Sequence, residues 1–313
     1  MSKTNRNIFI TGGAGFIGFH LQQSLKSTDF VRSIDLLPAH NIAAFKRSSL
    51  CESVLKADIR QPFHVDPQSD VLIHLAALTG IAQSAVDPSS YLDVNVLGTL
   101  NVLEQARKNG VKRIIYASSS SVYTPHEGPV KETDHTMNPL SFYGSTKKMS
   151  EVLVENYCRQ FGMTAIGLRF FTVYGSWTRP DMAAYKFMKA IEANQAVTIY
   201  EAEKLKRDFT HVSDIVHGIK RLMDVLPEMK IGTHEVFNIG YGQPVLVKDF
   251  AGEIARSMGK ELIMEEAELP KNEVLSTHAD TDKLLQFTGF KPQVSVQEGV
   301  REMVAWFKTN AYE

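Results

Sequence analysis

Short apolar, β-branched segments alternate along most of the chain with longer segments whose apolar residues recur at helical spacing. The short segments predict strands at 7–11, 31–36, 71–75, 113–118, 164–170 and 235–239. Strands that alternate with helices in this way are typical of a parallel sheet covered by crossover helices. The pattern therefore predicts an α/β fold.

Two long helices are predicted at 91–109 and 145–161, each followed by a glycine, Gly110 or Gly162, where a C-terminal cap is expected. Both carry apolar residues on more than one face. Burial against the sheet explains this pattern, and so does a contact between two copies of the chain. The residues alone leave both interpretations open.

The alternation ends after Phe171, and the stretch 176–207 contains no clean strand–helix repeat. Further helices are predicted at 214–225, 250–258 and 296–308. We predict one domain over 1–175, to which 208–241 returns, and a smaller lobe built from 176–207 and 242–313. No flexible linker separates them, so the lobe is expected to pack on the sheet domain.

The composition is that of an ordinary globular protein: 313 residues, 43% of them hydrophobic, with 34 Lys and Arg against 35 Asp and Glu. This balance excludes a polybasic arm, and no nucleic-acid partner is predicted. Two cysteines, Cys51 and Cys158, form neither a disulfide framework nor a metal site, so a reducing, cytoplasmic location is expected. Glycines interrupt the apolar segment 8–21, and no later segment is apolar enough to span a membrane.

A glycine-rich turn follows the first predicted strand, with Gly12, Gly15 and Gly18 at positions one, four and seven. A helix follows at once, so backbone N–H groups and the positive end of the helix would face a pyrophosphate. The context of strand, turn and helix predicts a Rossmann-like, doubly wound sheet that binds a dinucleotide.

Asp35 closes the second predicted strand, 17 residues after Gly18. A carboxylate there accepts hydrogen bonds from an adenosine ribose and repels a 2′-phosphate, which predicts NAD rather than NADP. The alternative is that Asp35 is only a turn residue. Asp58 and Ile59, beyond the next apolar run, are candidates for the adenine edge.

Tyr143 and Lys147 stand four residues apart at the start of a predicted helix, so their side chains share one face. Nearby positive charge lowers the pKa of a phenol and would let Tyr143 act as a base. Such a pair also occurs by chance on helix surfaces. The run Ser118 to Ser121 ends a predicted strand at the carboxyl edge of the sheet, where ligands bind, and a hydroxyl there can contact the oxygen being oxidised.

Together with His-Leu-Ala-Ala at 74–77 and Arg-Asp-Phe at 207–209, these motifs resemble the extended short-chain dehydrogenase/reductase family of nucleotide-sugar epimerases and dehydratases. The resemblance covers nearly the whole chain. It implies a smaller C-terminal substrate-binding lobe, a UDP-sugar substrate, a homodimer formed through 91–109 and 145–161, and a role in polysaccharide biosynthesis. It also implies that Ser119, Tyr143 and Lys147 are catalytic, that Phe171 packs near the nicotinamide and that Arg207 binds the substrate diphosphate. Further cofactor contacts are implied at Phe16, Ile17, Leu75, Ala76, Ala77 and Asn95.

Within this family, the segments 168–175 and 179–182 look most like the UDP-glucuronate 4-epimerases. UDP-glucose 4-epimerases usually have Asn where Thr172 stands. The hydroxyls of Ser119, Ser120, Ser121 and Thr172, with Arg179, are expected to hold the carboxylate of a hexuronic acid. The chain departs from the pattern of the UDP-glucuronate 4-epimerases at Ala82, Gln83, Thr124, Thr178 and 271–273. These departures bear on which sugar is bound, and not on the cofactor or the base.

Three alternatives stay open. The first is a 4-epimerase of UDP-glucose or UDP-N-acetylglucosamine, since Thr277, near the expected sugar pocket, is small. The second is a dehydratase or decarboxylase; dehydratases typically have Asp and Glu, and decarboxylases often a Glu, where this chain has Ser120 and Ser121, which disfavours elimination. The third is a non-catalytic NAD-binding protein, for which loss of the tyrosine or the lysine would be the mark.

Overall fold

A seven-stranded parallel sheet forms the centre of the molecule, and the computed structural model describes residues 5–37, 42–51 and 54–310. The strands are β1 Asn7–Thr11, β2 Phe30–Asp35, β3 Val54–Lys56, β4 Val71–His74, β5 Arg113–Ser119, β6 Thr164–Phe170 and β11 His234–Ile239. They lie in the order β11-β6-β5-β4-β1-β2-β3. The predicted Rossmann-like α/β fold is confirmed.

Helices cover the sheet and build the second part of the molecule. None of those in the described ranges is long and apolar enough to cross a membrane. They are α1 Phe16–Leu25, α2 Ile42–Ser48, α3 Ile81–Val86, α4 Pro88–Leu92, α5 Gly98–Lys108, α6 Phe142–Phe161, α7 Ala183–Glu192, α8 Val212–Val225, α9 Val247–Met258, α10 Asp282–Thr288 and α11 Val296–Asn310.

The two long helices predicted beside the sheet differ in the structure for local reasons. The predicted helix 91–109 consists of α4, a π-helical turn at Asp93–Leu97 and α5. Helix α6 begins at Phe142, earlier than expected, because the Ser141 side chain caps it by accepting a hydrogen bond from the Gly144 N–H at 3.0 Å.

Within the described residues, three pairs of short strands lie outside the main sheet. These are β7 Thr172–Tyr174 with β10 Phe209–His211, β9 Lys206–Arg207 with β12 Val245–Leu246, and β8 Val197–Tyr200 with β13 Met264–Ala267. Strands of two to four residues are too short to show an apolar period, so the sequence did not reveal them.

Separate hydrophobic clusters support the sheet and the C-terminal region. One joins β1, β4, β6 and β11 to α8, with fully buried residues such as Ile10, Ile166 and Ile219. Another joins α7, α9 and α11, with Met188, Phe250 and Val300 at 0% exposure. Helices α7, α9 and α11 therefore have a core of their own, whereas Leu284 of α10 belongs to the cluster under the sheet.

The chain reverses its direction across the sheet between β1 and β4. From β1 it continues outward to β2 and β3, whereas β4, β5 and β6 extend to the other side. The carboxyl ends of β1 and β4 thus form the crevice in which doubly wound folds bind their ligands. Gly12 follows β1 and Leu75 follows β4 at this crevice.

Candidate active site

The glycine turn between β1 and α1 lies directly against the loop that follows β4. Gly12 has φ of 78°, and a Cβ on it would stand 2.6 Å from the Ala76 nitrogen. A Cβ on Gly18 would stand 2.2 Å from the Gly12 carbonyl oxygen. Only glycine fits these two positions, and the close packing brings the N-terminus of α1 to the crevice.

A cavity of about 380 Å³ lies beside this turn. Its walls combine a helix N-terminus, a carboxylate at the end of β2 and apolar groups after β4, which fits a dinucleotide such as NAD. The predicted cofactor residues that line it are Gly12, Gly15, Asp35, Asp58, Ile59, Leu75, Ala76 and Ala77.

The remaining predicted residues of the turn lie behind this wall. Phe16 is buried in the cluster under the sheet, and Ile17 packs against the same cluster. Their side chains pack α1 against that cluster and not against the cavity. Phe16 and Ile17 can therefore contact the cofactor through their backbone N–H groups, which lie at the start of the helix.

Asp35 is tied to the glycine turn. Its carboxylate accepts hydrogen bonds from the Ala14 N–H at 3.0 Å and from the Leu37 N–H at 3.3 Å. Burial raises the pKa of Asp35, and the backbone N–H groups partly oppose that rise. Two carboxylate oxygens have about four acceptor sites, so capacity remains for ribose hydroxyls.

Arg47 is a residue of this region that the sequence analysis missed. It is 1% exposed, its Nε donates to the Ala14 carbonyl at 2.7 Å and its Nη1 donates to the Trp177 carbonyl at 3.1 Å. The guanidinium thus connects the glycine turn to the segment around Trp177, which follows β7. No motif in the sequence around Arg47 predicts these contacts.

Asn95, a predicted cofactor residue, holds the loop after β4 from behind. Its side-chain oxygen accepts from the Leu78 N–H at 2.8 Å, and its amide donates to the Leu78 carbonyl at 3.0 Å and to Thr146 Oγ1 at 3.0 Å. Asn95 stands in the π-helical turn, a distortion that often occurs at functional sites. Its amide therefore fixes the cavity wall relative to α6.

His74, at the end of β4, lies in a buried chain of hydroxyls. Its two ring nitrogens stand 2.7 Å from Thr11 Oγ1 and 3.0 Å from Thr99 Oγ1. Burial, with a contribution from the Lys147 charge, lowers the pKa of His74 to about 3. The ring is consequently neutral and structural near pH 7.

Tyr143 and Lys147 lie on the first turns of α6, as predicted. The Tyr143 N–H donates to Ser84 Oγ at 3.1 Å, and Lys147 Nζ donates to the Ala117 carbonyl at 2.9 Å. Burial lowers the pKa of Lys147 to about 8. Gly144 lets the helix approach the serine run, because a Cβ there would stand 2.1 Å from the Ser121 carbonyl oxygen.

Ser119 lies beside the Tyr143 phenol at the end of β5. The Ser119 oxygen accepts from the Ser121 N–H at 3.1 Å, which leaves the hydroxyl hydrogen free to donate. Burial raises the pKa of Tyr143, while a hydrogen bond from Ser119 and the Arg179 charge act in the opposite direction. The structure thus brings Ser119, Tyr143 and Lys147 together at the carboxyl edge of the sheet.

The predicted substrate residues do not surround a single cavity. Ser120 lines a small one of about 40 Å³, together with Thr277 and with Phe171, the residue predicted to pack near the nicotinamide. Thr172 lies in β7, and Arg207 Nη2 is paired with Glu273 Oε2 at 3.0 Å. Arg179 lines the larger cavity beside the glycine turn.

A buried ion pair lies directly behind the serine run, and the sequence analysis did not identify it. Arg169 Nε and Nη2 donate to the two Glu151 oxygens, each at 2.9 Å, and Ser118 Oγ donates to Oε1 at 2.7 Å. Burial alone would raise the pKa of Glu151, but the hydrogen bonds and charge of Arg169 outweigh it and lower that pKa. The pair connects α6 to β5 and β6.

Comparisons with known proteins agree with this geometry. The chain is 37% identical to protein CapI of Staphylococcus aureus, with 96% of this chain and 98% of that protein covered. It is 35% identical to a probable UDP-glucuronate 4-epimerase of Rhizobium meliloti, with 96% of each chain covered. Among solved structures, the UDP-glucuronic acid 4-epimerase from Bacillus cereus in complex with UDP-glucuronic acid and NAD superposes with a TM-score of 0.88 at 30% identity, covering 96% of this chain and 99% of that one.

A family model matches residues 8–240, which include the glycine turn, the cavity walls and the Ser119, Tyr143 and Lys147 cluster. The matched region is also the part of the chain that builds the parallel sheet. The chain therefore belongs to the NAD dependent epimerase/dehydratase family.

Proposed function

We propose that this protein is an NAD-dependent epimerase that inverts C4 of a UDP-sugar, converting UDP-glucuronate to UDP-galacturonate. The observation that carries the proposal is the cluster of Ser119, Tyr143 and Lys147 next to a dinucleotide cavity, with hydroxyls instead of acids at Ser120 and Ser121. Relatives named as UDP-glucuronate 4-epimerases, aligned over nearly the whole chain, support this substrate.

NAD, when bound, supplies hydride-transfer chemistry at C4 of the sugar. Tyr143 takes the proton of the 4-hydroxyl. It returns that proton to the oxygen at C4 after the sugar has rotated so that its opposite face meets the cofactor. The Ser119 oxygen accepts from the Ser121 N–H, and its single hydroxyl hydrogen turns from the Tyr143 phenol to the oxygen at C4 when the sugar is bound. Lys147 contacts the cofactor ribose and favours the phenolate form of Tyr143.

The serine run also explains why elimination is not expected. Removal of a proton from C5 needs a general base, and a dehydratase of this family places carboxylates for this purpose. At neutral pH the hydroxyls of Ser120 and Ser121 are not ionised, so they are too weakly basic to remove a proton from carbon. They can instead hold the carboxylate of a hexuronic acid, with Thr172 and Arg179, so that the 4-keto intermediate does not lose CO₂.

The remaining site residues complete the proposal. Asp35 contacts the adenosine ribose, Asp58 and Ile59 the adenine, and Phe171 packs near the nicotinamide. Arg207 binds the substrate diphosphate once it exchanges its contact with Glu273. We assign cofactor binding to 1–175 with 208–241, and nucleotide-sugar binding to 176–207 with 242–313; the separate hydrophobic cluster of α7, α9 and α11 supports this division.

The direct test is to offer UDP-glucuronate, UDP-glucose and UDP-N-acetylglucosamine side by side and to identify the products by NMR. We expect C4 epimerisation of UDP-glucuronate with little pentose product. Activity confined to the two uncharged sugars would refute the proposed substrate. Conversion chiefly to a UDP-pentose would instead indicate a decarboxylase.

Replacing Asp35 with asparagine is expected to weaken NAD binding and to relax discrimination against NADP. The variant keeps an oxygen that can accept from Ala14, but it loses a charge-assisted hydrogen bond to the ribose, typically about 1.5–3 kcal/mol, or roughly 10- to 100-fold in affinity. Titration calorimetry with both cofactors measures the change. A wild-type preference for NADP would contradict the assignment.

A homodimer is the expected assembly. Exposed apolar side chains lie on the segment from α4 to α5, at Leu92 and Leu97, and on α6, at Met149 and Val152. Such a surface on adjacent helices suits a second copy of the chain. Light scattering at micromolar concentration checks this expectation, and a monomer would count against it. We also propose a cytoplasmic location, which the two free cysteines support.

A further inference from the structure

The face of α6 that lies against the sheet changes from apolar to polar towards the catalytic end. In the second half of the helix, Val154 and Cys158 belong to a hydrophobic cluster under the sheet. Nearer the N-terminus, the same face carries Gly144, Lys147 and Glu151, all buried and three or four residues apart. Apolar packing therefore does not hold the catalytic half of α6, and directional contacts must take its place.

These contacts are made with the end of β5. Lys147 Nζ donates to the Ala117 carbonyl at 2.9 Å, and Ser118 Oγ donates to Glu151 Oε1 at 2.7 Å. Gly144 completes the row, because it lets the backbone of α6 lie against the serine run. A movement of β5 along α6 would break both hydrogen bonds at once.

The ion pair of Glu151 and Arg169 holds the serine run from both sides. Ser118, the first residue of the run, bonds to Glu151. Tyr123, two residues after the end of the run, accepts through its hydroxyl from Arg169 Nη1 at 3.1 Å, and the guanidinium carbon lies 4.8 Å from the centre of its ring. Ser119 thus lies in a short segment that is anchored before and after it.

The anchor is stiff. Arg169 donates to both Glu151 oxygens at 2.9 Å, and the two side chains are 4% and 3% exposed. A planar fork of this kind fixes orientation as well as distance. The Tyr123 hydroxyl in turn donates to Asn238 Oδ1 of β11 at 2.6 Å. The position of the Ser119 segment is therefore set by α6, β6 and β11 together.

We propose that Ser118 and Tyr123 are positioning residues: through the buried ion pair, they hold the Ser119 hydroxyl and the Tyr143 phenol at the separation at which both reach one sugar oxygen. The hydroxyls of Ser118 and Tyr123 act through Ser119. The relevance to catalysis rests on the proposed function, because that is where Ser119 and Tyr143 share a sugar oxygen. The positioning itself can be measured without turnover.

The first experiment compares kcat and KM of Ser118→Ala and Tyr123→Phe with those of the wild type. Each variant loses one hydroxyl, keeps the ion pair and, at Tyr123, keeps the ring. We expect kcat to fall roughly tenfold or more while KM stays within about twofold, since the reacting groups are misaligned and the sugar contacts remain.

Each variant has a matched control. Ser150→Ala removes a hydroxyl that is as buried as that of Ser118 and lies on α6, but donates at 2.9 Å to a carbonyl of the π-helical turn. Tyr116→Phe removes a buried hydroxyl from β5 that hydrogen-bonds with His234 at 2.8 Å. Both controls should lose about as much stability in urea as the test variants and keep the wild-type kcat.

The second experiment is an absorbance titration of tyrosinate on NAD-loaded protein without any sugar, with the titration of the same protein carrying Tyr143→Phe subtracted. Ser118→Ala should raise the pKa of Tyr143 by about half a unit, because the hydrogen bond from Ser119 that favours the phenolate is weakened. Ser150→Ala should leave this pKa unchanged.

A wild-type kcat together with an unchanged titration in Ser118→Ala would overturn the inference. Losses of kcat that are equal in Ser118→Ala and Ser150→Ala would also overturn it, since they would reflect lost stability alone. The same holds for an effect confined to KM. If the wild type epimerises no UDP-sugar, the proposed function fails, yet the titration still decides whether Ser118 positions Ser119 on Tyr143.

Discussion

Tyr143→Phe is expected to lower kcat by a factor of about 10² to 10⁴ or more while UDP-sugar and NAD binding remain within a few fold of wild type. The substitution removes only the hydroxyl that exchanges a proton. Its ring still packs against Tyr91, and its backbone N–H still donates to Ser84. Product formation by NMR and binding by calorimetry measure the two effects separately.

Tyr157→Phe is a matched control on the same helix. The Tyr157 hydroxyl donates to Glu104 Oε1 of α5 at 2.8 Å, and Tyr157 stands 14 residues along α6 from Tyr143. Turnover of this variant should equal that of the wild type. Residual activity of Tyr143→Phe within tenfold of wild type would mean that another group is the base.

Glu151→Ala is expected to cause the largest loss of stability, about 3–5 kcal/mol in the free energy of unfolding. Glu151 and Arg169 are 3% and 4% exposed and share two hydrogen bonds. Removal of the carboxylate leaves the buried guanidinium without its counter-charge. Urea denaturation measures the change, and Glu151→Gln, which keeps part of the hydrogen bonding, should lose less.

Glu155→Ala serves as its control. Glu155 pairs with Arg159 at 3.9 Å on the exposed face of the same helix, where such pairs contribute roughly 0–1 kcal/mol. The double variant Glu151→Leu with Arg169→Met should be more stable than Glu151→Ala, because no unpaired charge is buried. A loss below 1 kcal/mol in Glu151→Ala would contradict the importance of the pair.

Features that depend on neighbouring residues could be predicted from the sequence. The glycine turn follows from spacing between a strand and a helix, and the common face of Tyr143 and Lys147 follows from the helical period. The parallel sheet follows from alternation. The carboxyl ends of its strands then place the serine run and the turn at one edge.

Contacts between distant parts of the chain could not be predicted in this way. Arg169 is 18 residues from Glu151, and Arg179 is 100 residues from Thr79. No periodic pattern in the sequence predicts that these side chains are in contact. The role of the Asn95 amide was equally hidden, because it depends on a π-helical turn that looks like ordinary helix in the sequence.

The position of β11 has a consequence for synthesis on the ribosome. β6 is buried along its whole length; one of its edges pairs with β5 and the other with β11, His234–Ile239, which begins about seventy residues after the start of β6. At about 5–20 residues per second, an apolar strand edge stays open for roughly 3 to 14 s in every nascent chain. The unpaired N–H and C=O groups of such an edge can pair with a strand of another chain, which leads to aggregation. Chains that stall between β6 and β11 should therefore be the ones that depend on chaperones.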